Sequence, residues 1–205
     1  MNTPHRSDTK TSCYPVRMRR LLALTLLAAA IAATAQTPTQ PPAQPSDPLA
    51  PLDFLTGTWN AHSTSTTGSA AADVTGTYTF RRDLDGHALD RSTSADTCHG
   101  PNTFDCSHHD RLTIFSDPNA LAAHHASLLA LYLDSEGHVI YYTVSTPDAN
   151  TAIFLSQSPP TAPHFRLIYH LEGSGPAAIM TGKFQTAAPG STDFHSYLEW
   201  SGTRH

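Results

Sequence analysis

The chain contains 205 residues and carries a formal net charge of −5. The charge is unevenly distributed, because residues 36–205 hold seven basic and sixteen acidic residues, a net charge of −9. A nucleic-acid-binding protein needs the opposite sign to neutralise phosphates, and an anionic membrane surface repels an acidic protein. The composition therefore argues against nucleic acid and against a membrane surface as partners.

The N-terminal segment has the three parts of a secretory signal. A basic cluster at residues 17–20 precedes an apolar run at residues 21–33, and Ala33 and Ala35 supply the small side chains of a cleavage site. A membrane anchor is the alternative, but it needs about 20 apolar residues, and the polar stretch starts too early. We expect a signal peptide at residues 1–35, cleaved after Ala35, and a periplasmic or secreted protein.

Proline dominates the segment that follows, where it supplies six of the sixteen residues at positions 36–51. Such a stretch predicts an extended, semi-rigid linker. The remaining residues, 52–205, are enough for one domain with its own core.

Apolar and polar residues alternate through this domain, as in residues 77–81, 139–144 and 165–171. Such alternation, rich in β-branched and aromatic residues, predicts half-buried strands separated by Gly, Pro and Asx turns. The pattern predicts an all-β, antiparallel up-and-down barrel, which has no exposed edge, and a two-sheet sandwich is the alternative. One short helix is predicted at residues 119–126. The ten strands are predicted near residues 57–66, 74–82, 87–95, 111–116, 127–133, 138–146, 151–157, 164–171, 177–186 and 193–203.

Cys98 and Cys106 are the only cysteines after the predicted cleavage site. An even number of cysteines in an exported chain predicts a disulfide. A metal site is the alternative, because His99, His108 and His109 lie in the same segment and thiolates and imidazoles bind zinc. The spacing matches no usual zinc motif, so we expect a disulfide and no metal.

Four pieces of the sequence resemble an uncharacterised bacterial family of lipocalin-like barrels that is related to nitrobindin. The run Leu-Asp-Phe-Leu-Thr-Gly-Thr-Trp at residues 52–59 is similar to the opening of that family, where Gly-x-Trp begins the first strand. Residues 134–140, 182–184 and 197–202, the last ahead of Arg204, are also similar to exported members. The resemblance implies a barrel with a lined interior and covers most of residues 52–204.

The same resemblance implies a structural role for Trp59 and Arg204. In lipocalin-like barrels the first-strand tryptophan closes the base, and an arginine of the last strand lies across its ring. Such a cation–π pair stabilises a protein by about 0.5–2 kcal/mol. We therefore expect these two residues to close the barrel rather than to contact a ligand.

Haem is the cofactor that the resemblance raises, because nitrobindin holds haem through a histidine near its last strand, close to where His195 lies. One imidazole is enough for a five-coordinate haem. Nitrobindin-type sequences, however, have a glycine soon after the tryptophan, and this chain has Asn60, Ala61 and His62 there. We expect no haem and no other resident cofactor, and His195 is a binding residue only if haem is bound.

The sequence contains no nucleophile elbow, phosphate-binding loop or His-Glu-x-x-His motif. A strand set with many apolar residues, in a fold that encloses a cavity, favours binding of a small hydrophobic molecule inside the barrel. An isomerase or hydrolase that uses barrel-lining histidines is the alternative, and haem binding through His195 is the second one. The sequence names no catalytic residue.

Overall fold

The computed structural model describes residues 46–63, 73–93, 95–101, 104–120 and 126–205. These residues all belong to one compact unit, Gln44–His205. The predicted signal peptide, most of the predicted linker and most of the predicted helix at 119–126 lie outside the described residues. Among the helices that are described, none is long and apolar enough to cross a membrane.

Ten strands and a few short 3₁₀ helices make up the described part of the chain. Each strand begins and ends within a few residues of its prediction, because the alternation of side chains and the turn residues between strands are both local signals. The strands are β1 (Gly57–Ser63), β2 (Thr75–Asp83), β3 (Ala88–Thr93), β4 (Asp110–Ser116), β5 (Leu128–Asp134), β6 (Val139–Asp148), β7 (Thr151–Ser156), β8 (His164–Glu172), β9 (Ile179–Ala187) and β10 (His195–Arg204). The 3₁₀ helices are Ala50–Leu55, Leu84–Gly86, Ala95–Thr97 and Gly175–Ala177.

The ten strands form one closed antiparallel barrel in which each strand pairs with its neighbours in sequence. Closure occurs between the first and last strands, where Trp59 of β1 lies opposite Arg204 of β10 on one side and Tyr78 of β2 on the other. The predicted up-and-down barrel is therefore confirmed, and the two-sheet sandwich is excluded. A closed barrel leaves no strand edge free for pairing with another chain.

Apolar and aromatic side chains fill the inward positions of the strands. The Tyr169 ring lies 5.2 Å from that of Phe80 and 5.7 Å from that of Trp200, in both cases edge to face. This arrangement is the preferred one for aromatic pairs. The largest fully buried side chains are Trp59, Tyr142, Tyr169, Phe80, Phe154, Leu49, Leu52, Leu55, Leu89, Leu112, Ile114 and Met180.

One end of the barrel is closed by the 3₁₀ helix Ala50–Leu55, which buries Leu52 and Leu55 completely. Leu49 is buried as well, and Asp47 accepts a hydrogen bond from Arg82 at 3.0 Å. The folded residues therefore extend into the segment that was predicted as linker. We call this the closed end.

The opposite end of the barrel, which we call the open end, carries the connections β1–β2, β3–β4, β5–β6, β7–β8 and β9–β10, because the strands alternate in direction. The β3–β4 connection is the long segment that contains both predicted disulfide cysteines. The β5–β6 connection is a tight hairpin from Asp134 to Val139, with Gly137 at φ +88. A positive φ of this size strongly favours glycine.

Candidate functional site

A cavity of about 580 Å³ lies at the open end of the barrel, between the β3–β4 connection, the β5–β6 hairpin and strands β8–β10. This volume is in the range of small-molecule sites. Its walls differ in chemistry. An apolar wall consists of Ile140, Phe165, Phe184 and Tyr197, and a polar wall consists of His108, Tyr132, Asp134, Glu136 and His138.

Aromatic rings on β8, β9 and β10 form the apolar wall. The rings of Phe165 and Phe184 are stacked, with centroids 5.8 Å apart and planes 10° from parallel. Tyr197 places its ring edge-on to Phe184 at 6.0 Å. The pairing of β9 with β10 shifts register between Ser196 and Leu198, so Tyr197 is the extra residue of a β-bulge. Bulges redirect a side chain, and this one turns Tyr197 toward the cavity.

Asp134 organises the polar wall. Its Oδ1 atom accepts hydrogen bonds from the backbone N–H groups of Glu136 at 3.0 Å and His138 at 2.9 Å. Its Oδ2 atom accepts from the Tyr132 hydroxyl at 3.3 Å and from Nδ1 of His138 at 2.9 Å. Burial raises the pKa of Asp134, but the hydrogen bonds and charge of His138 outweigh it and hold the pKa below its usual value. The carboxylate is therefore ionised in the folded protein.

His108 completes the polar wall from the β3–β4 connection. Its Nε2 atom lies 3.3 Å from the Tyr132 hydroxyl. Because that hydroxyl donates its proton to Asp134, the Tyr132 oxygen can accept from His108 when Nε2 carries the ring proton. The other ring nitrogen, Nδ1, then faces Glu136 Oε1 at 3.6 Å. Burial raises the pKa of Tyr132, and the nearby carboxylates add to the shift, so the phenol stays protonated.

A second, deeper pocket of about 200 Å³ shares Phe104, Asp105 and His108 with the cavity and reaches the barrel interior. Arg91 and Asp110 form an ion pair there at 2.9 Å, with side chains only 11% and 10% exposed. Burial lowers the pKa of Arg91, but the Asp110 charge more than compensates and the pKa is raised above its usual value. The pair is thus charged within a largely apolar interior.

Nε of Arg91 and the hydroxyl group of Tyr169 are buried near this pocket and have no hydrogen-bond partner among the described residues. Nε of Arg91 only donates, and a buried donor without an acceptor costs about 1–3 kcal/mol. Burial raises the pKa of Tyr78 to about 12, although a hydrogen bond from Trp200 and the charge of Arg91 oppose the shift. This part of the interior is therefore chemically suited to an oxygen atom of a ligand or a water molecule.

The predicted disulfide between Cys98 and Cys106 is present, with the two sulfur atoms 2.06 Å apart. It closes a loop within the β3–β4 connection and leaves no thiolate for the metal site considered as the alternative. Phe104 lies within the bridged loop and His108 lies two residues after Cys106, and both line the cavity. The disulfide therefore restrains the segment that carries one side of the site.

Trp59 and Arg204 lie at the closed end. The guanidinium carbon of Arg204 is 4.5 Å from the centroid of the Trp59 ring, and its Nη1 atom donates to the Thr56 carbonyl at 2.8 Å. The indole N–H of Trp59 donates to the Leu55 carbonyl at 2.9 Å. Neither residue lines the cavity or the deeper pocket.

His195 lies at the start of β10 with its side chain 76% exposed and its Nε2 atom 3.3 Å from Asp193. It lines neither of the two pockets. Among the histidines within the described residues, only His108 and His138 line the cavity.

In the sequence, His108 stands out only as part of a cysteine–histidine cluster, and no local pattern connects it with the β5–β6 hairpin. One signal for the polar wall was present in the sequence: Asp134, Glu136 and His138 alternate around a predicted turn. A second signal was Arg91, a charged residue at an inward position of an alternating strand.

No family model matches the sequence, and no curated protein matches it.

Proposed function

We propose that this protein binds a small, largely apolar molecule in the cavity at the open end of its barrel. The observation that carries the proposal is the cavity of about 580 Å³ whose apolar wall includes the stacked rings of Phe165 and Phe184. Aromatic walls with a few polar groups are typical of sites that bury most of a small ligand. An aromatic or polycyclic molecule stacks well against such a wall.

The polar groups around the cavity indicate that the ligand is amphipathic. Asp134 and Glu136 give the polar wall negative charge, while Nε of Arg91 offers an unpaired donor in the deeper pocket. A ligand that fills both spaces would place an oxygen atom near this donor and its apolar body against the aromatic wall. This pairing satisfies a buried donor that otherwise destabilises the fold.

The resemblance of the first-strand run Leu-Asp-Phe-Leu-Thr-Gly-Thr-Trp to lipocalin-like, nitrobindin-related barrels supports the same proposal, because that fold commonly encloses a ligand.

We further propose that the protein acts in the periplasm or outside the cell. The basic and apolar N-terminal segment supports export, and the Cys98–Cys106 disulfide is compatible with an oxidising compartment.

The test uses the fluorescent, neutral, largely apolar probe N-phenyl-naphthylamine and the chain with its disulfide intact. Thr186 lines the cavity, so Thr186→Trp places an indole in the ligand space. Leu155 lies on the outer face of β7 and is 43% exposed, so Leu155→Trp is the matched control. We expect saturable binding near one probe per chain, at least tenfold weaker in Thr186→Trp and unchanged in Leu155→Trp.

Two results contradict the proposal: no saturable binding by the unaltered chain, or equal affinity in the two tryptophan variants. Native mass spectrometry of protein isolated from the exported fraction of its own host then identifies the natural ligand by mass.

A further inference from the structure

The structure assigns a second binding site to the polar wall: we propose that His108, Asp134 and Glu136 bind one divalent transition-metal ion of the zinc class. One ligand atom from each residue lies within 4.8 Å of the other two. Imidazole nitrogen and carboxylate oxygen are both ordinary zinc ligands. The three residues come from two separate connections at the open end, the β3–β4 segment and the β5–β6 hairpin.

The spacing between ligand atoms is the first argument. Nδ1 of His108 is 3.6 Å from Glu136 Oε1. This separation exceeds a normal hydrogen bond. Two ligands bound at about 2.0–2.1 Å to a tetrahedral ion lie about 3.3 Å apart, so only a small adjustment brings these two atoms to a shared ion.

The orientation of the His108 ring is the second argument. Its Nε2 atom lies 3.3 Å from the Tyr132 hydroxyl, which donates to Asp134, and its Nδ1 atom faces Glu136 Oε1. When Nε2 carries the ring proton, Nδ1 presents its electron pair toward the Glu136 carboxylate. A metal ion between these two atoms would be held by an imidazole nitrogen and a carboxylate oxygen.

Outer hydrogen bonds hold the ligands in place, as they do in established metal sites. The Asp134 side chain is 3% exposed, and its Oδ1 atom is held by two backbone N–H groups. Its Oδ2 atom accepts from His138, whose ring is 63% exposed and free to turn away. An ion can therefore replace that one hydrogen bond without disturbing the hairpin.

Three protein ligands leave a fourth coordination position for water or another donor. Because all three residues line the cavity, that position is next to the proposed ligand space. The excess of acidic residues in the folded part of the chain adds a long-range attraction for cations. The metal proposal does not depend on the proposed binding of an apolar molecule, and each has its own readout.

The experiment titrates the metal-free chain with Zn²⁺ by calorimetry and with Co²⁺ by visible absorption, which reports the coordination geometry directly. We expect one ion per chain with micromolar or tighter affinity. His108→Ala and Glu136→Gln should each weaken binding at least tenfold, and Glu136→Gln also removes charge with almost no change in shape. The matched control is His109→Ala, an exposed histidine adjacent to His108 that is outside the cluster.

Far-UV circular dichroism and the thermal midpoint of unfolding check that each variant retains its fold. Three results overturn the metal proposal: no stoichiometric binding by the unaltered chain, full affinity in both His108→Ala and Glu136→Gln, or an equal loss in His109→Ala. The last result would identify adventitious binding by surface histidines. Absence of probe binding by the unaltered chain, together with intact metal binding, would instead contradict the proposed function alone.

Discussion

Gly182 leaves the space that the Trp200 indole fills, so a single methyl group at this position tests how tightly the barrel interior is packed. Gly182 of β9 lies directly opposite Trp200 of β10. A Cβ atom built on Gly182 would lie 2.1 Å from Cε2 and 2.2 Å from Cζ2 of that indole. Carbon atoms in ordinary contact are about 3.5 Å apart, so Gly182→Ala requires the ring to move by about 1.4 Å.

The indole has little room for such a movement. Trp200 is 9% exposed, and Tyr169 packs edge-to-face against it at 5.7 Å. Overpacking of a filled interior costs about 1–3 kcal/mol, whereas alanine in place of glycine gains about 0.4–1 kcal/mol by restricting the unfolded chain. We expect a net loss of about 1–2 kcal/mol in the free energy of unfolding, or about 2–8 °C in Tm.

Urea unfolding followed by far-UV circular dichroism measures this loss. The matched control is Gly76→Ala in β2, where a Cβ atom would have no neighbour closer than 3.9 Å. The free energy of unfolding of Gly76→Ala should equal that of the unaltered chain or exceed it slightly. The double variant Gly182→Ala/Trp200→Phe removes part of the clash, so the two substitutions should couple favourably by about 1 kcal/mol.

Equal stability of Gly182→Ala and Gly76→Ala would refute the packing argument, because it would mean that the indole has free space beside it. Strict additivity in the double variant would refute it as well, since the cost would then come from Gly182 alone and not from its contact with Trp200.

Three further predictions concern the disulfide, the buried ion pair and alkaline pH. Replacing both Cys98 and Cys106 with alanine should lower the free energy of unfolding by about 2.5 kcal/mol, the loop-entropy value for so short a loop, and a thermal midpoint unchanged from the parent would contradict this. Asp110→Asn should cost about 3–5 kcal/mol in urea unfolding because it leaves the Arg91 charge buried and unpaired. The paired Arg91→Leu/Asp110→Leu variant should recover part of that loss, and a double variant less stable than Asp110→Asn would argue against it. Burial raises the pKa of Tyr78 from 10.0 to about 12, so the unfolded chain loses this proton first. The contribution of Tyr78 to the free energy of unfolding is fully present below about pH 10 and falls as the pH rises toward 12. Urea unfolding midpoints measured across this pH range should show the decrease. A midpoint that stays constant would be the contrary result.

The strand set was predictable from the sequence because its signals are local. Two-residue alternation and turn residues depend only on neighbours in the chain, as in the hairpin from Asp134 to Val139. The barrel followed from the number of strands and from their hairpin connections. The start of the folded part was less predictable: Leu49 follows a proline-rich stretch, and only its contact with the core shows that it belongs to the domain.

The cavity was not predictable from the sequence, because its walls combine residues that are distant in the chain. Its apolar wall needs Phe165, Phe184 and Tyr197 from three strands, and Tyr197 reaches it through a bulge with no clear sequence signal. Its polar wall joins His108 to a hairpin more than twenty residues away. Cross-strand register determines which of these side chains come into contact, and register depends on the whole barrel rather than on any one segment.

The sequence by itself therefore determined an acidic all-β domain with ten strands and a disulfide, and it predicts an N-terminal export signal. The tertiary structure alone decided which polar side chains converge, and it separated His108 and His138, which line the cavity, from His195, which is exposed at the rim. The physical reason is that strand formation follows from local alternation and turn chemistry. A binding site, in contrast, requires distant side chains to share one small volume, and only closure of the barrel brings them there.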